Sequence, residues 1–347
     1  MFGAIMRHPA TLLLNHKDER QRRRAVRKLF EVNDSNNLDS FVPLLDDEDH
    51  WYRERAMEAI TKWAGFNDSM IVNKLSDSKY IEQRVLASKI SLRLGQEKLE
   101  IIHKLCCDKE LAVRIASWES RFQSGSEIID NVILEGLKSK DKVVRKITIN
   151  KLTKLDEIDI NLIISGLQDD SYAVRKAAVE IIRNDSKLSK IDIFDSRLLE
   201  MSDESSGKEI TGIIKVLVNK SLENIEIQKK VISWSQSESV EVIDPLISSL
   251  REIKWWEIKK LKEHMYEKSS DLFVTRLLRG NRELVAAEVR NKILSDSTRS
   301  EEMQARLIED LVGRPIDEIT LKIIKNISIS DNLLLSTISR ELLQEYE

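Results

Sequence analysis

Glycine and proline are both scarce, 10 and 4 in a chain of 347 residues. A β-rich or α/β protein of this length needs many tight turns and draws on both residues to make them. Their scarcity points instead to helices joined by short polar turns. Cysteine is rarer still. The two present are the neighbours Cys106 and Cys107, which excludes a disulfide framework and fits a reducing compartment. No His or Cys at metal-ligand spacing accompanies them, which argues against a zinc site. Long apolar runs are missing as well, none approaching the roughly 20 residues of a membrane span. The opening MFGAIMRHPATLLLN is apolar, but Arg7, His8 and Pro9 break it and no small-residue cleavage pattern follows. The expectation is a cytoplasmic chain with no membrane partner. Excess charge of one sign is also lacking. Charged residues make up 33%, yet the net charge is only -3. The surface is therefore mixed, without global bias toward nucleic acid or acidic lipid.

What is present is a repeated sentence. Residues 167–182 read LQDDSYAVRKAAVEII. Around Arg175 stand an apolar residue eight before (Leu167), an acid six before (Asp169), a small residue three after (Ala178) and apolar Ile181 and Ile182. The same frame surrounds Arg22, Arg53, Arg84, Arg114 and Arg145. Successive anchors are 30 or 31 residues apart. Asp47 and Asp108 hold the acidic slot ahead of Arg53 and Arg114. Apolar positions at +3, +6 and +7 lie on one helical face. A second helical pattern precedes each anchor, as in Ile160, Ile163, Ile164 and Leu167. Each unit thus reads as helix, acidic turn, helix, and a period of this length signals stacked supersecondary units. Past Arg175 the arginine lapses. Continuing the frame gives Glu209, Glu241, Leu272, Glu302 and Leu333. The expectation is about eleven units, regular over residues 1–188 and degenerate but continuous over 189–347.

The turn acids are expected to cap the second helices. The arginines are expected to reach neighbouring turn carbonyls or the acid of the next unit, a structural role for Asp47, Arg53, Arg84, Asp108, Arg114, Arg145, Asp169 and Arg175. Ser117 and Ser120 replace the usual small and apolar residues after Arg114, so that helix is expected to be rotated. A unit of about 30 residues is too small to fold alone and must bury its faces against neighbours.

The turn acid, Val-Arg and small-residue pattern resembles HEAT repeats, in particular the short HEAT-like repeats of the biliprotein-lyase type. The resemblance is specific over residues 10–188. It implies an all-α fold, a right-handed superhelical α-solenoid of two-helix repeats.

Catalytic signatures are missing. There is no phosphate-binding glycine loop, no nucleophile elbow and no paired His-Glu dipeptide. His103 and Cys107, four residues apart, could share a helix face, but no third group accompanies them. The sequence therefore predicts no enzyme, no cofactor, no metal and no small-molecule substrate.

Two features bear on partners. Arg20, Arg22, Arg23, Arg24, Arg27 and Lys28 crowd one second helix and could contact nucleic acid or an acidic partner; a polar terminal repeat would look the same. Trp255 and Trp256 are adjacent, so on a helix both cannot face one core. One is expected near the surface, as a possible interface anchor. Together these readings predict a non-enzymatic scaffold or adaptor for another protein. The alternative is a nucleic-acid-binding solenoid resembling the DNA-alkylation-repeat proteins. An accessory role in enzyme maturation, as in some biliprotein lyases, is a third expectation carried by the resemblance.

Overall fold

A computed structural model describes residues 8–65, 68–94, 99–125, 127–155, 157–205 and 208–346. Among the described residues all regular structure is helical: 21 α-helices with short 3-10 turns and no strand. The chain divides into two compact units, Met1–Ile158 and Asp159–Glu347.

In the first unit a 3-10 turn, Pro9–Leu13, precedes α1 (Glu19–Val32). There follow α2 (Leu38–Phe41), α3 (His50–Trp63), α4 (Ser69–Ser76), α5 (Ile81–Leu94), α6 (Leu99–Cys106), α7 (Leu111–Gln123), α8 (Ile129–Leu137) and α9 (Lys142–Lys151). Helices α4, α6 and α8 pair with α5, α7 and α9, while α3, α5, α7 and α9 pack each on the next in a row. α2 is short because Pro43 removes a backbone donor, and the chain continues as a 3-10 turn over Val42–Asp46.

The second unit contains α10 (Ile160–Leu167), α11 (Tyr172–Asn184), α12 (Asp195–Glu204), α13 (Lys208–Val218), α14 (Ile225–Trp234) and α15 (Val240–Leu250). It ends with α16 (Leu261–Glu267), α17 (Asp271–Leu278), α18 (Leu284–Leu294), α19 (Glu301–Glu309), α20 (Glu318–Ser328) and α21 (Leu333–Leu343). Its row runs α11, α13, α15, α17, α19, α21. Each anchor extrapolated from the sequence, Glu209 through Leu333, lies in the first turn of one of these helices. The fold is an all-helical repeat.

Small residues let the second helices approach. On α3, Ala56, Ala59 and Ile60 are buried, at +3, +6 and +7 from Arg53. On α7 the same slots hold Ser117 and Ser120, and both are buried too. That helix is not rotated, contrary to the sequence expectation. Ser117 Oγ meets Ser88 Oγ at 2.7 Å and Ser120 Oγ donates to the Ser88 carbonyl at 2.8 Å. The hydroxyls satisfy one another, so burying them carries little desolvation penalty. Helix starts are set by side-chain caps. Asp18 accepts from Arg20 N, Asp49 from Trp51 N and Asp141 from Val143 N.

Candidate interaction surface

The repeated arginines face inward. Arg53 Nη1 donates to the carbonyls of Asp47 and Glu48, both at 2.8 Å, and its guanidinium lies 4.1 Å from the Tyr80 ring centre. Arg84 Nη1 donates to the Ser78 carbonyl at 2.9 Å, and its Nε and Nη2 reach the Asp108 carboxylate at 2.8 and 3.1 Å. Arg114 holds the carbonyls of Asp108 and Lys109 and the Asp141 carboxylate, the latter at 2.7 Å. Arg145 Nη1 reaches the Ser139 carbonyl at 3.0 Å, and in the second unit Arg175 Nη1 reaches those of Asp169 and Asp170. The pattern is a clasp: one edge of each guanidinium closes its own inter-helix turn. For Arg84 and Arg114 the other edge grips an acid of the following turn.

The acids six residues before the anchors do not themselves cap the second helices, contrary to the sequence expectation. Asp47, Asp108 and Asp169 instead accept from the N–H two residues on, in Asp49, Glu110 and Ser171. The capping position lies two residues further along. Burial pushes the Asp108 carboxyl up, but the Arg84 hydrogen bonds and the Glu110 N–H together hold it below its ordinary value.

The basic cluster on α1 splits in two. Arg22 belongs to the clasp: it donates to the Leu14 carbonyl at 2.8 Å, is ion-paired with Asp47, and lies over Tyr52. Lys28 pairs with Glu31 at 3.2 Å. Arg20, Arg24 and Arg27 stand one turn apart on the exposed face, with no carboxylate partner among the described residues. Ala25, Val26 and Leu29 fill the buried face opposite. Arg23 borders the stripe, pairs with Glu19 at 2.6 Å, and extends toward Trp51 of α3, 5.2 Å from its ring centre. Arg55 approaches the same ring at 5.9 Å. Trp51 and Arg55 thus join Arg23 on this surface.

The paired tryptophans lie in a 3-10 turn, Trp255–Glu257. Trp255 is 1% exposed and is a core residue, which removes it as a surface anchor. Trp256 is half-buried beside it, ring centres 5.7 Å apart. Trp118 and Trp234 are also buried.

His103 and Cys107 do not form a pair. His103 Nε2 meets Glu127 at 3.1 Å. Cys107 is exposed and Cys106 is the buried thiol, pushed up by burial to about 12. Glu127 accepts from Nε and Nη2 along one edge of Arg121, at 2.7 and 2.8 Å, and Glu135 accepts from Nη2 as well, at 2.6 Å. Among the described residues no group of three or more His, Cys, Asp or Glu is placed to hold a metal ion, and no helix is long and apolar enough to cross a membrane.

No protein-family model matches the chain, and no curated protein matches it in sequence. Solved structures resemble it, two of them as follows. The X-ray structure of E. coli YibA is 17% identical, covers 70% of this chain and 92% of its own, with a TM-score of 0.42. An engineered protein is 16% identical over 96% of this chain and 97% of its own, with a TM-score of 0.36. Likeness at this level adds nothing to the helix pairing itself, on which the repeat architecture rests.

Proposed function

We propose that the chain is a non-enzymatic scaffold that holds another protein on the exposed faces of its second helices. In this reading the helix pairs are HEAT-like, about eleven in number, and wind into a right-handed superhelix. The supporting observation is the division of α1. One face packs through Ala25, Val26 and Leu29. The other exposes Arg20, Arg24 and Arg27, which have no carboxylate partner among the described residues, bordered by Arg23, Trp51 and Arg55. Arginine and tryptophan are the residue types that anchor protein interfaces. Their charge suits an acidic partner, and rim charges of this kind steer encounter.

The test is affinity capture from nuclease-treated lysate of the native host, with wild type beside Arg20→Glu/Arg24→Glu/Arg27→Glu. The expected result is a defined partner lost from the triple variant at an unchanged unfolding midpoint. Identical capture by both proteins would defeat the assignment of this face.

Nucleic acid is the second reading, favoured by the same exposed arginines next to an aromatic ring on which a base could stack. It requires oligonucleotide binding whose logarithm falls linearly with that of salt, by about 0.7–0.9 per phosphate contacted.

A further inference from the structure

We propose that the second unit carries its own docking site, a cleft built by α17 and α19 that takes an extended acidic peptide segment of a partner protein. The proposal rests on the scaffold reading but uses no residue of the α1 surface.

The cleft, about 470 Å³, is lined by four arginines, Arg276, Arg279, Arg306 and Arg314, against two acids, Glu309 and Asp310. The Asp310 charge is already committed. Its carboxylate accepts from the Gly280 N–H at 2.9 Å and pairs with Arg314 at 2.8 Å. Gly280 is left-handed (φ +68°), and a Cβ there would lie 3.3 Å from Arg314 Nη1. Glycine thus lets the turn and the guanidinium sit together. Arg306 is braced by Glu302 at 2.6 Å, and Arg276 by Asp244. A guanidinium has five donors, so each braced arginine keeps N–H groups for a ligand while its rotamer is already fixed.

Arg279 is exposed and has no carboxylate among the described residues. It also lines a second depression of about 290 Å³, which carries Arg282, Ile253 and Trp256. Arg282 is likewise exposed, with no carboxylate partner among the described residues. Arg251 Nη2 donates to the carbonyls of Arg276 and Arg279 at 2.6 and 2.7 Å, fixing the end of α17 on which both depressions depend.

Two features select the ligand. Planar guanidinium forks match carboxylates two bonds at a time. Leu272 and Val312 in one depression, with Trp256 in the other, provide apolar contacts that a bare polyphosphate backbone cannot use. A peptide mixing acidic and apolar side chains meets both conditions.

The probe is a short fluorescein-labelled peptide of repeating Asp-Leu-Glu, titrated against the full chain and followed by anisotropy. Saturable binding is expected, weakened about tenfold or more in Arg279→Glu/Arg282→Glu and by added salt, as for charge-assisted contacts. The unfolding midpoint should be unchanged. The milder pair Arg279→Gln/Arg282→Gln serves if the reversal disturbs folding, and should weaken binding in the same direction. Arg20→Glu/Arg24→Glu/Arg27→Glu should bind the peptide as wild type does. The proposal is overturned if there is no saturable binding, if affinity survives both Arg279/Arg282 variants, or if an oligonucleotide displaces the peptide at lower concentration. Loss in the α1 triple variant alone would also overturn it while leaving the scaffold reading intact.

Discussion

Arg121 is 5% exposed yet carries a full charge. A lone buried cation would be strongly destabilising. It is tolerated because two carboxylates meet it and the Trp118 ring lies 5.0 Å away. In return Arg121 holds the Glu127 carboxyl far down, at about 2, with burial opposing and His103 assisting. A carboxyl whose folded value lies below its unfolded one stabilises the native state above the unfolded value. That contribution is lost as pH falls through the folded one. The window here runs from 4.5 down to about 2. Glu127→Gln is expected to lower stability by about 1–3 kcal/mol at neutral pH, yet to lose less than wild type does across that acid window. Urea midpoints taken against pH would check both. Parallel curves for the two proteins would remove Glu127 as the group responsible. None of this was legible in the sequence. Arg121, Glu127, Glu135 and His103 come from three helices and a turn; Arg121 takes the +7 slot after Arg114, where the frame expects an apolar residue, and nothing in the frame marks the other three. The clasp arginines could be read because they keep the repeat period, and five of the six, Arg53 to Arg175, bond the carbonyl six residues before them. Their acidic partners were less legible: Arg114 takes Asp141, a helix cap four residues before Arg145, where the frame has Ser139 at the acidic slot.

Between neighbouring helices the fold depends on close approach. Gly136 on α8 is the tightest case: a Cβ there would lie 2.3 Å from Thr148 Oγ1 on α9. Thr148 is fully buried and its hydroxyl donates to the Val144 carbonyl, so it cannot simply swing away. Gly136→Ala should therefore destabilise the chain by about 1–3 kcal/mol, as overpacking does, despite the better helix propensity of alanine. Thr148→Ala in the same chain should recover part of that loss. If Gly136→Ala alone raised the thermal midpoint, the described α8–α9 packing would be wrong. The second unit fastens its helices differently, which is why the arginine frame fades there while the helices persist. Lys220 Nζ bonds the Asp195 carboxylate at 2.5 Å and the Ile191 carbonyl at 2.7 Å, all at buried or nearly buried positions. Gln304 Nε2 reaches the carbonyls of Ile293 and Asp296, and Arg290 Nη2 that of Leu278. Each is a donor closing a turn, but no two share a residue type and position. Sequence periodicity detects recurrence of type and position together, so it follows the first set and loses the second. The helical spacing of apolar residues survives the change, and it carried the frame to Leu333.

At the scale of the whole molecule, the fold divides its arginines between two duties. Those at the repeat anchors of the first unit are sheltered in turns; Arg20, Arg24, Arg27, Arg279 and Arg282 are exposed, with no carboxylate partner among the described residues. With a net charge of only -3, local concentration of sign and not overall charge is what can select a partner. The clasps also define how a disturbance spreads. The second helices from α3 to α9, and from α11 to α21, pack each on the next in their row, and stability in such stacks is a sum of local and nearest-neighbour contributions. Arg84→Met removes the guanidinium donors from the Asp108 carboxylate, which keeps only the Glu110 N–H, and from the Ser78 carbonyl, a loss of about 1.5–3 kcal/mol for charge-assisted bonds. Hydrogen exchange followed by mass spectrometry should then quicken in α5 and α7, with a smaller change in α3 and α9. Helices α19 and α21 should keep their wild-type protection, because opening is sub-global and follows contiguous contacts. Equal loss of protection from α1 to α21 would mean that the chain unfolds as one cooperative body, and nearest-neighbour stacking would no longer describe what holds it together.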